Sequence, residues 1–169
     1  MRSARAVEDA GATLLAGAAF LSRRADTMGL AALSGRAGVV RSRYLGNCLA
    51  ELDSFLGGLL DALAPDAPSG RHNNALKLAN LGDGGRFDGS DHWRLRAIGR
   101  SRACLRYCAG TVRTPDARAL DWMTAGWIDP TTGALRRYAL GERLAPGGGD
   151  IVDICRFYDS VHARLLHTR

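Results

Sequence analysis

The stretch Leu45-Gly-Asn-Cys-Leu-Ala-Glu-Leu-Asp-Ser-Phe-Leu-Gly-Gly-Leu-Leu-Asp-Ala-Leu63 decides the fold class. Its leucines at 45, 49, 52, 56, 59 and 63 are spaced 4, 3, 4, 3 and 4, which lays them along one side of a helix. Upstream, Val7, Ala10, Leu14, Ala18, Leu21, Ala25 and Met28 repeat at 3, 4, 4, 3, 4 and 3. Two such stripes bury each other best as an antiparallel helical hairpin, with Ser34-Gly35-Arg36-Ala37-Gly38 as the break between them. Gly57 and Gly58 inside the second helix each cost about 1 kcal/mol relative to Ala, which a close helix crossing would offset. Pro65 and Pro68 end the element.

Working outward, a short helix is expected over His72 to Leu81, followed by a glycine-rich loop from Gly82 to Gly89. The loop lacks the Lys-Ser/Thr ending and the preceding strand of a phosphate-binding loop, so it reads as a linker. Ser90 or Asp91 can cap the next helix, His92 to Ala109. Thr114-Pro115-Asp116 has the form of a cap with Pro at the first helical position, and predicts a short helix towards Met123. Trp122, Trp127 and Ile128 read as anchors of the core or of a subunit interface. After the turn Asp129-Pro-Thr-Thr-Gly133, residues 134–144 can form a small hairpin. Asp150 then caps a last helix with Ile151, Ile154, Tyr158, Val161 and Leu165 on one face. The expected fold is all-α: four main helices in a bundle, short accessory helices, a small hairpin near 128–144, and one domain over residues 1–169.

Composition narrows the function classes. The chain carries a formal charge of +6 and a pI near 9.7, so polyanions are natural partners. Of its 23 basic residues only Lys77 is Lys, a ratio that also reflects a GC-rich coding style, so placement says more than identity. Cys48, Cys104, Cys108 and Cys155 sit within apolar helical patterns rather than in a loop framework, and read as reduced thiols in a reducing, cytoplasmic setting. The apolar run Gly11 to Leu21 is preceded by Glu8 and Asp9 and followed by Arg23 and Arg24. It is too short to cross a bilayer and reads as part of an amphipathic helix, so no membrane partner is expected.

Charge is concentrated in one place. From Arg86 to Arg113 there are seven Arg and two Asp, a net +5 in 28 residues, and no acidic residue lies between Asp91 and Asp116. On a helical wheel Trp93, Ala97, Ile98, Ser101, Cys104, Leu105 and Cys108 share one arc. Arg96, Arg100, Arg102, Arg106 and Tyr107 fall outside it, while Arg94 and Leu95 break the pattern. Like charges four residues apart, Arg96/Arg100 and Arg102/Arg106, repel along an isolated helix. Either carboxylates from neighbouring elements or an external polyanion would relieve them, and both readings stand at this point.

Within this region Leu95-Arg-Ala-Ile-Gly-Arg-Ser-Arg-Ala-Cys-Leu-Arg-Tyr-Cys-Ala-Gly-Thr-Val112 resembles the late helix and following turn of HEPN-domain proteins. These are helical bundles, often dimeric, of prokaryotic toxins, RNases and defence systems. The resemblance covers about eighteen residues in detail and the helical layout in outline. It implies an Arg-polar pair at Arg100-Ser101 and, near the helix end, a catalytic His, whose place Tyr107 takes here. Imidazole titrates near neutral pH, whereas a phenol, with an ordinary pKa of about 10, is a poor general base. The resemblance thus implies a homodimeric domain that binds RNA or another nucleic acid through Arg96, Arg100, Arg102, Arg106 and Tyr107 without strong nuclease activity. A protein-interaction module and a weak or altered ribonuclease are the alternatives.

Other chemistry finds little support. Cys104 and Cys108, one turn apart, could join Cys155 and His162 as zinc ligands, but both lie along the expected core arc. His72, His92, His162 and His167 are scattered, and His72-Asn73-Asn74 reads as helix capping. No Ser has a nucleophile-elbow setting. No metal site and no cofactor are expected.

Overall fold

The structure is a computed structural model that describes residues 2–30, 35–64, 73–81 and 87–166. In chain order the elements are α1 (Arg2–Arg23), α2 (Ala25–Met28), α3 (Gly35–Leu63), α4 (Asn74–Asn80), α5 (Gly89–Tyr107), β1 (Trp122–Ile128), β2 (Leu135–Ala139) and α6 (Gly148–Leu166).

The leucine stripe is the centre of the core. Leu45, Leu49, Leu52, Leu56 and Leu59 of α3 are buried, and Val7, Leu14, Ala18 and Leu21 of α1 are buried with them. The two helices pack tightly at Gly17, where a Cβ would stand 2.9 Å from the Phe55 ring. The first stripe is not one straight helix. It breaks at Arg24, and α2 carries Ala25 and Met28 into the core separately. The α3 helix also begins well before the first leucine of its stripe. Its earlier half turns Gly38, Ser42 and Gly46 inward, and at Gly46 a Cβ would lie 2.9 Å from the backbone nitrogen of Arg106. Gly46 thus lets the α3 and α5 backbones approach closely, while Gly38 makes room for the Arg143 side chain and Ser42 lies beside Gly110.

The expectation of an all-α chain is corrected by a two-stranded antiparallel sheet. β1 pairs with β2 through Trp122↔Ala139, Met123↔Tyr138, Thr124↔Arg137 and Ile128↔Leu135, with an irregularity between Thr124 and Ile128. The hairpin thus starts at Trp122, ahead of the expected boundary, and the short helix from Thr114 towards Met123 is absent. Asp116, which looks like a helix-capping residue, serves the strand instead. Its backbone N–H donates to the Trp122 carbonyl, and its two carboxylate oxygens accept the Thr124 N–H at 3.0 and 3.1 Å. Residues Met123 to Trp127 are all buried, so β1 shows none of the alternation that marks a half-exposed strand. Trp127 is a core residue and donates from Nε1 to the Tyr138 hydroxyl at 3.2 Å.

Helix ends follow their chemistry with shifts of a few residues. Asp88, not Ser90 or Asp91, caps α5, in a reciprocal capping box with Asp91. Asn73 caps α4 by accepting the Leu76 N–H. Asp150 sits in the first turn of α6 and accepts the Gly147 N–H at 2.9 Å. His72, His167 and residues 82–86 of the glycine-rich loop lie outside the described residues. One apolar cluster draws side chains from every element.

Candidate nucleic-acid interface

The α5 helix is held from within by a strand laid directly on it. Gly126 of β1 sits so close that a Cβ there would lie 2.7 Å from the Ile98 Cα, and its N–H donates to the buried Ser101 hydroxyl at 3.1 Å. Leu95, Ala97, Ile98, Ser101, Cys104 and Leu105 form the buried side. Leu95 thus belongs to the arc that it interrupts on the wheel. Trp93, assigned to that arc, is instead 42% exposed.

The arginines divide into anchors and open groups. Arg94 is an anchor: its side chain is 14% exposed, Nη2 meets Asp153 of α6 at 2.5 Å, Nε donates to the Gly126 carbonyl, and the guanidinium covers the Phe157 ring. Arg102 pairs with Asp53 of α3 at 3.1 Å, and Asp53 also accepts from Asn74 Nδ2 of α4 at 2.8 Å. Burial raises the Asp53 carboxyl above its ordinary value, against the pull of Arg102, Asn74 and Lys77. Arg100 is intermediate. Its Nε lies 2.9 Å from an Asp116 oxygen, but the N–H is not aimed at that oxygen, so the contact is Coulombic rather than a hydrogen bond. Its guanidinium lies 4.7 Å from the Trp93 ring centre. Burial pulls it below its ordinary value; Asp116 opposes this and Arg96 adds to it. Nη2 of Arg100 is buried without a hydrogen-bond partner among the described residues.

Arg96 is exposed and makes no ion pair among the described residues. Arg106 is half-buried along Gly46 and reaches over the ring of Tyr107, which is 73% exposed. Of the five expected site residues, then, Arg96, Arg106 and Tyr107 are open while Arg100 and Arg102 are partly engaged. Helical spacing keeps Arg96, Arg100, Ala103 and Tyr107 on one outward face.

Two clefts flank this face. One, of about 490 Å³, is walled by Asp53, Asn73, Asn74, Arg96, Arg100 and Arg102: three guanidinium-bearing chains and two amides against a single carboxylate. The other, of about 700 Å³, lies towards the sheet and is walled by Trp93, Leu120, Trp122, Leu135, Arg136 and Arg137, with Asp116 at its base. Arg100 stands between them, lining the first while touching Trp93 and Asp116 of the second.

Asp53, Asn74, Asp116, Trp122 and the Arg136-Arg137 pair are the contributions that sequence reasoning missed. One signal was available for Asp53: Gly46, Ala50, Asp53 and Gly57, spaced 4, 3 and 4, make a second stripe of small residues with a lone carboxylate in it. All four cysteines are free. Burial pushes the Cys104 and Cys155 thiols up to about 12, and Cys104 Sγ donates to the Thr111 carbonyl. Among the described residues no group of three or more His, Cys, Asp or Glu could hold a metal ion, and no helix is long and apolar enough to cross a membrane.

Comparison with protein-family models, curated proteins and solved structures finds no match to this chain.

Proposed function

We propose that this chain is a HEPN-like helical domain that binds RNA through the outward face of α5 and does not cut it. The observation that carries the reading is the composition of the smaller cleft, whose wall holds Arg96, Arg100 and Arg102 and one carboxylate, that of Asp53, which Arg102 engages. Such a cleft is complementary to a phosphodiester. Phosphate contacts supply most of the affinity in nucleic-acid binding and position the strand. Exposed aromatics at both ends of the face, Trp93 and Tyr107, offer stacking surfaces for unpaired bases, which favours a single strand over an anion without flat rings. The resemblance to HEPN domains points the same way.

Catalysis has less support. The residue in the histidine's place is Tyr107, and His162 is buried against Gly11 of α1. Ultraviolet cross-linking of RNA containing 4-thiouridine, followed by peptide mapping, tests the placement. Adducts on the peptide that carries Trp93 to Tyr107 are expected, and adducts confined to α1 or α6 would refute it.

One observation favours a second reading, a protein-interaction module. Val40 and Tyr44, one turn apart on α3, are 69% and 47% exposed. Light scattering that gave twice the 18.0 kDa chain mass, reverting to a single chain in Val40→Glu, would support self-association through this pair.

A further inference from the structure

We propose that the cleft between Trp93 of α5 and Trp122 of β1 is a nucleotide site, taking one nucleobase against the indoles and its phosphate on Arg136 and Arg137. The proposal does not depend on RNA binding along α5, since a free mononucleotide fits the same chemistry.

The size is right. About 700 Å³ lies within the usual range of small-molecule sites, and the cleft combines apolar walls with a few charged groups at its edge. The two cleft tryptophans stand outside the core. Trp127 is fully buried, whereas Trp93 is 42% exposed and Trp122 is half-buried. Each is steadied by an arginine, Arg100 at 4.7 Å from the Trp93 ring centre and Arg137 at 5.2 Å from that of Trp122. Among the described residues the ring contacts are Trp127 with Tyr138 and Phe157 with Tyr158, so the two cleft indoles do not fill the space with each other.

The charges select an anion. Two carboxylates lie in the cleft wall, and both are committed to the fold. Asp116 is 4% exposed, accepts the Thr124 N–H and faces Arg100. Asp129 accepts the Thr131 and Thr132 N–H groups of its turn. Arg136 bonds to the Tyr138 side chain and reaches Asp129 and Asp150 at 3.7 and 3.8 Å, longer than a hydrogen bond, and Arg137 is exposed over Trp122. A phosphate would add short charge-assisted hydrogen bonds to these two guanidinium groups. A purely apolar occupant would leave them as they are. A flat ring bonded to a phosphate-bearing sugar satisfies both halves of the cleft.

Equilibrium dialysis of the full chain with adenosine 5′-monophosphate tests the site, with adenosine and inorganic phosphate as the two half-ligands. Saturable binding of the monophosphate is expected, with each half-ligand at least about tenfold weaker. Trp93→Ala and Arg137→Gln, both at exposed side chains, should each weaken it by about tenfold with the thermal midpoint unchanged. An adenylate hexamer that competes for the site would identify the natural occupant as one nucleotide of a strand. An adenylate hexamer that fails to compete would identify a free mononucleotide, and both outcomes support the site. Arg96→Ala should leave the monophosphate affinity intact, so loss of RNA binding in that variant concerns the α5 reading alone. No binding up to about 10 mM, or equal binding by wild type and both cleft variants, would overturn the proposal.

Discussion

The Nε of Arg100 lies 2.9 Å from a carboxylate oxygen of Asp116, so the arginine at the head of the suggestive motif is tied to the segment that leads into the sheet. That contact joins α5 to β1 from outside, as the Ser101 hydroxyl and the Gly126 N–H join them from inside. The consequence for function is a division of labour. Arg94, Arg100 and Arg102 orient the helix through Asp153, Asp116 and Asp53, with Arg100 and Arg102 still lining the cleft beside Arg96, while Arg96, Arg106 and Tyr107 make no ion pair among the described residues.

Asp53 joins three helices, since it accepts from Asn74 of α4 and pairs with Arg102 of α5. Removing its carboxylate leaves a half-buried guanidinium without its partner and the Asn74 amide with only the backbone carbonyl of residue 53. Asp53→Ala should cost about 2 kcal/mol, with the double variant Asp53→Ala/Arg102→Ala costing less than the sum of the singles. Chemical denaturation of the four species measures this directly, and additive losses would show that the pair is uncoupled.

Two glycine substitutions should act in opposite directions. Gly126→Ala forces a Cβ to within 2.9 Å of the Ile98 backbone nitrogen, and neither backbone can give way without parting α5 from the sheet. A loss of about 3 kcal/mol is expected. Gly58→Ala meets nothing within 4 Å and sits inside α3, where alanine is the better helix former, so a gain of about 0.5–1 kcal/mol is expected. Thermal melts of both variants check the signs.

The contrast between these glycines shows how much was legible. Apolar stripes at helical spacing were enough to place α1, α3 and α6, because apolar burial on one side leaves a period in the sequence. The first half of α3 was not legible, since it packs through Gly38, Ser42 and Gly46, and smallness carries no hydropathy signal. β1 was misread for a related reason: buried on both sides, it loses its alternation, and the capping signal at Thr114-Pro115-Asp116 pointed to a helix. The site was half legible. The excess of arginine and its outward direction follow from α5 alone, but the carboxylates that engage Arg94, Arg100 and Arg102 come from α6, from the segment ahead of β1 and from α3. No local pattern announces such pairs.

His162 of α6 is buried against Gly11 of α1. Burial holds its pKa below the ordinary value of 6.5, with Asp159 opposing. The unfolded chain therefore binds a proton that the folded chain refuses, and this contribution to stability is present above pH 6.5 and lost as pH falls through the folded value. The thermal midpoint should fall between about pH 7 and pH 5, and His162→Asn should flatten that slope. The carboxyls of Asp53 and Asp159, raised by burial, favour the fold as they protonate and act in the opposite sense. The difference between wild type and variant isolates the histidine, and identical slopes would contradict its role.

Tyr107 is 73% exposed and lies beside Arg106, a setting for stacking rather than for proton transfer. Labelled single-stranded RNA should stay intact with the purified chain from about pH 5 to pH 9. Cleavage that disappears in Tyr107→Phe would show instead that the phenol works as an acid or base.

The most direct test of the α5 reading is the salt dependence of single-stranded RNA binding, followed by fluorescence anisotropy in wild type, Arg96→Ala and Arg106→Ala. Each arginine that neutralises a phosphate adds about 0.7 to the slope of log affinity against log salt for a single strand. Measurable binding by wild type is expected, with weaker binding by each variant and a slope reduced by about that amount for each arginine removed. Unchanged affinity and slope in both variants would contradict the α5 reading.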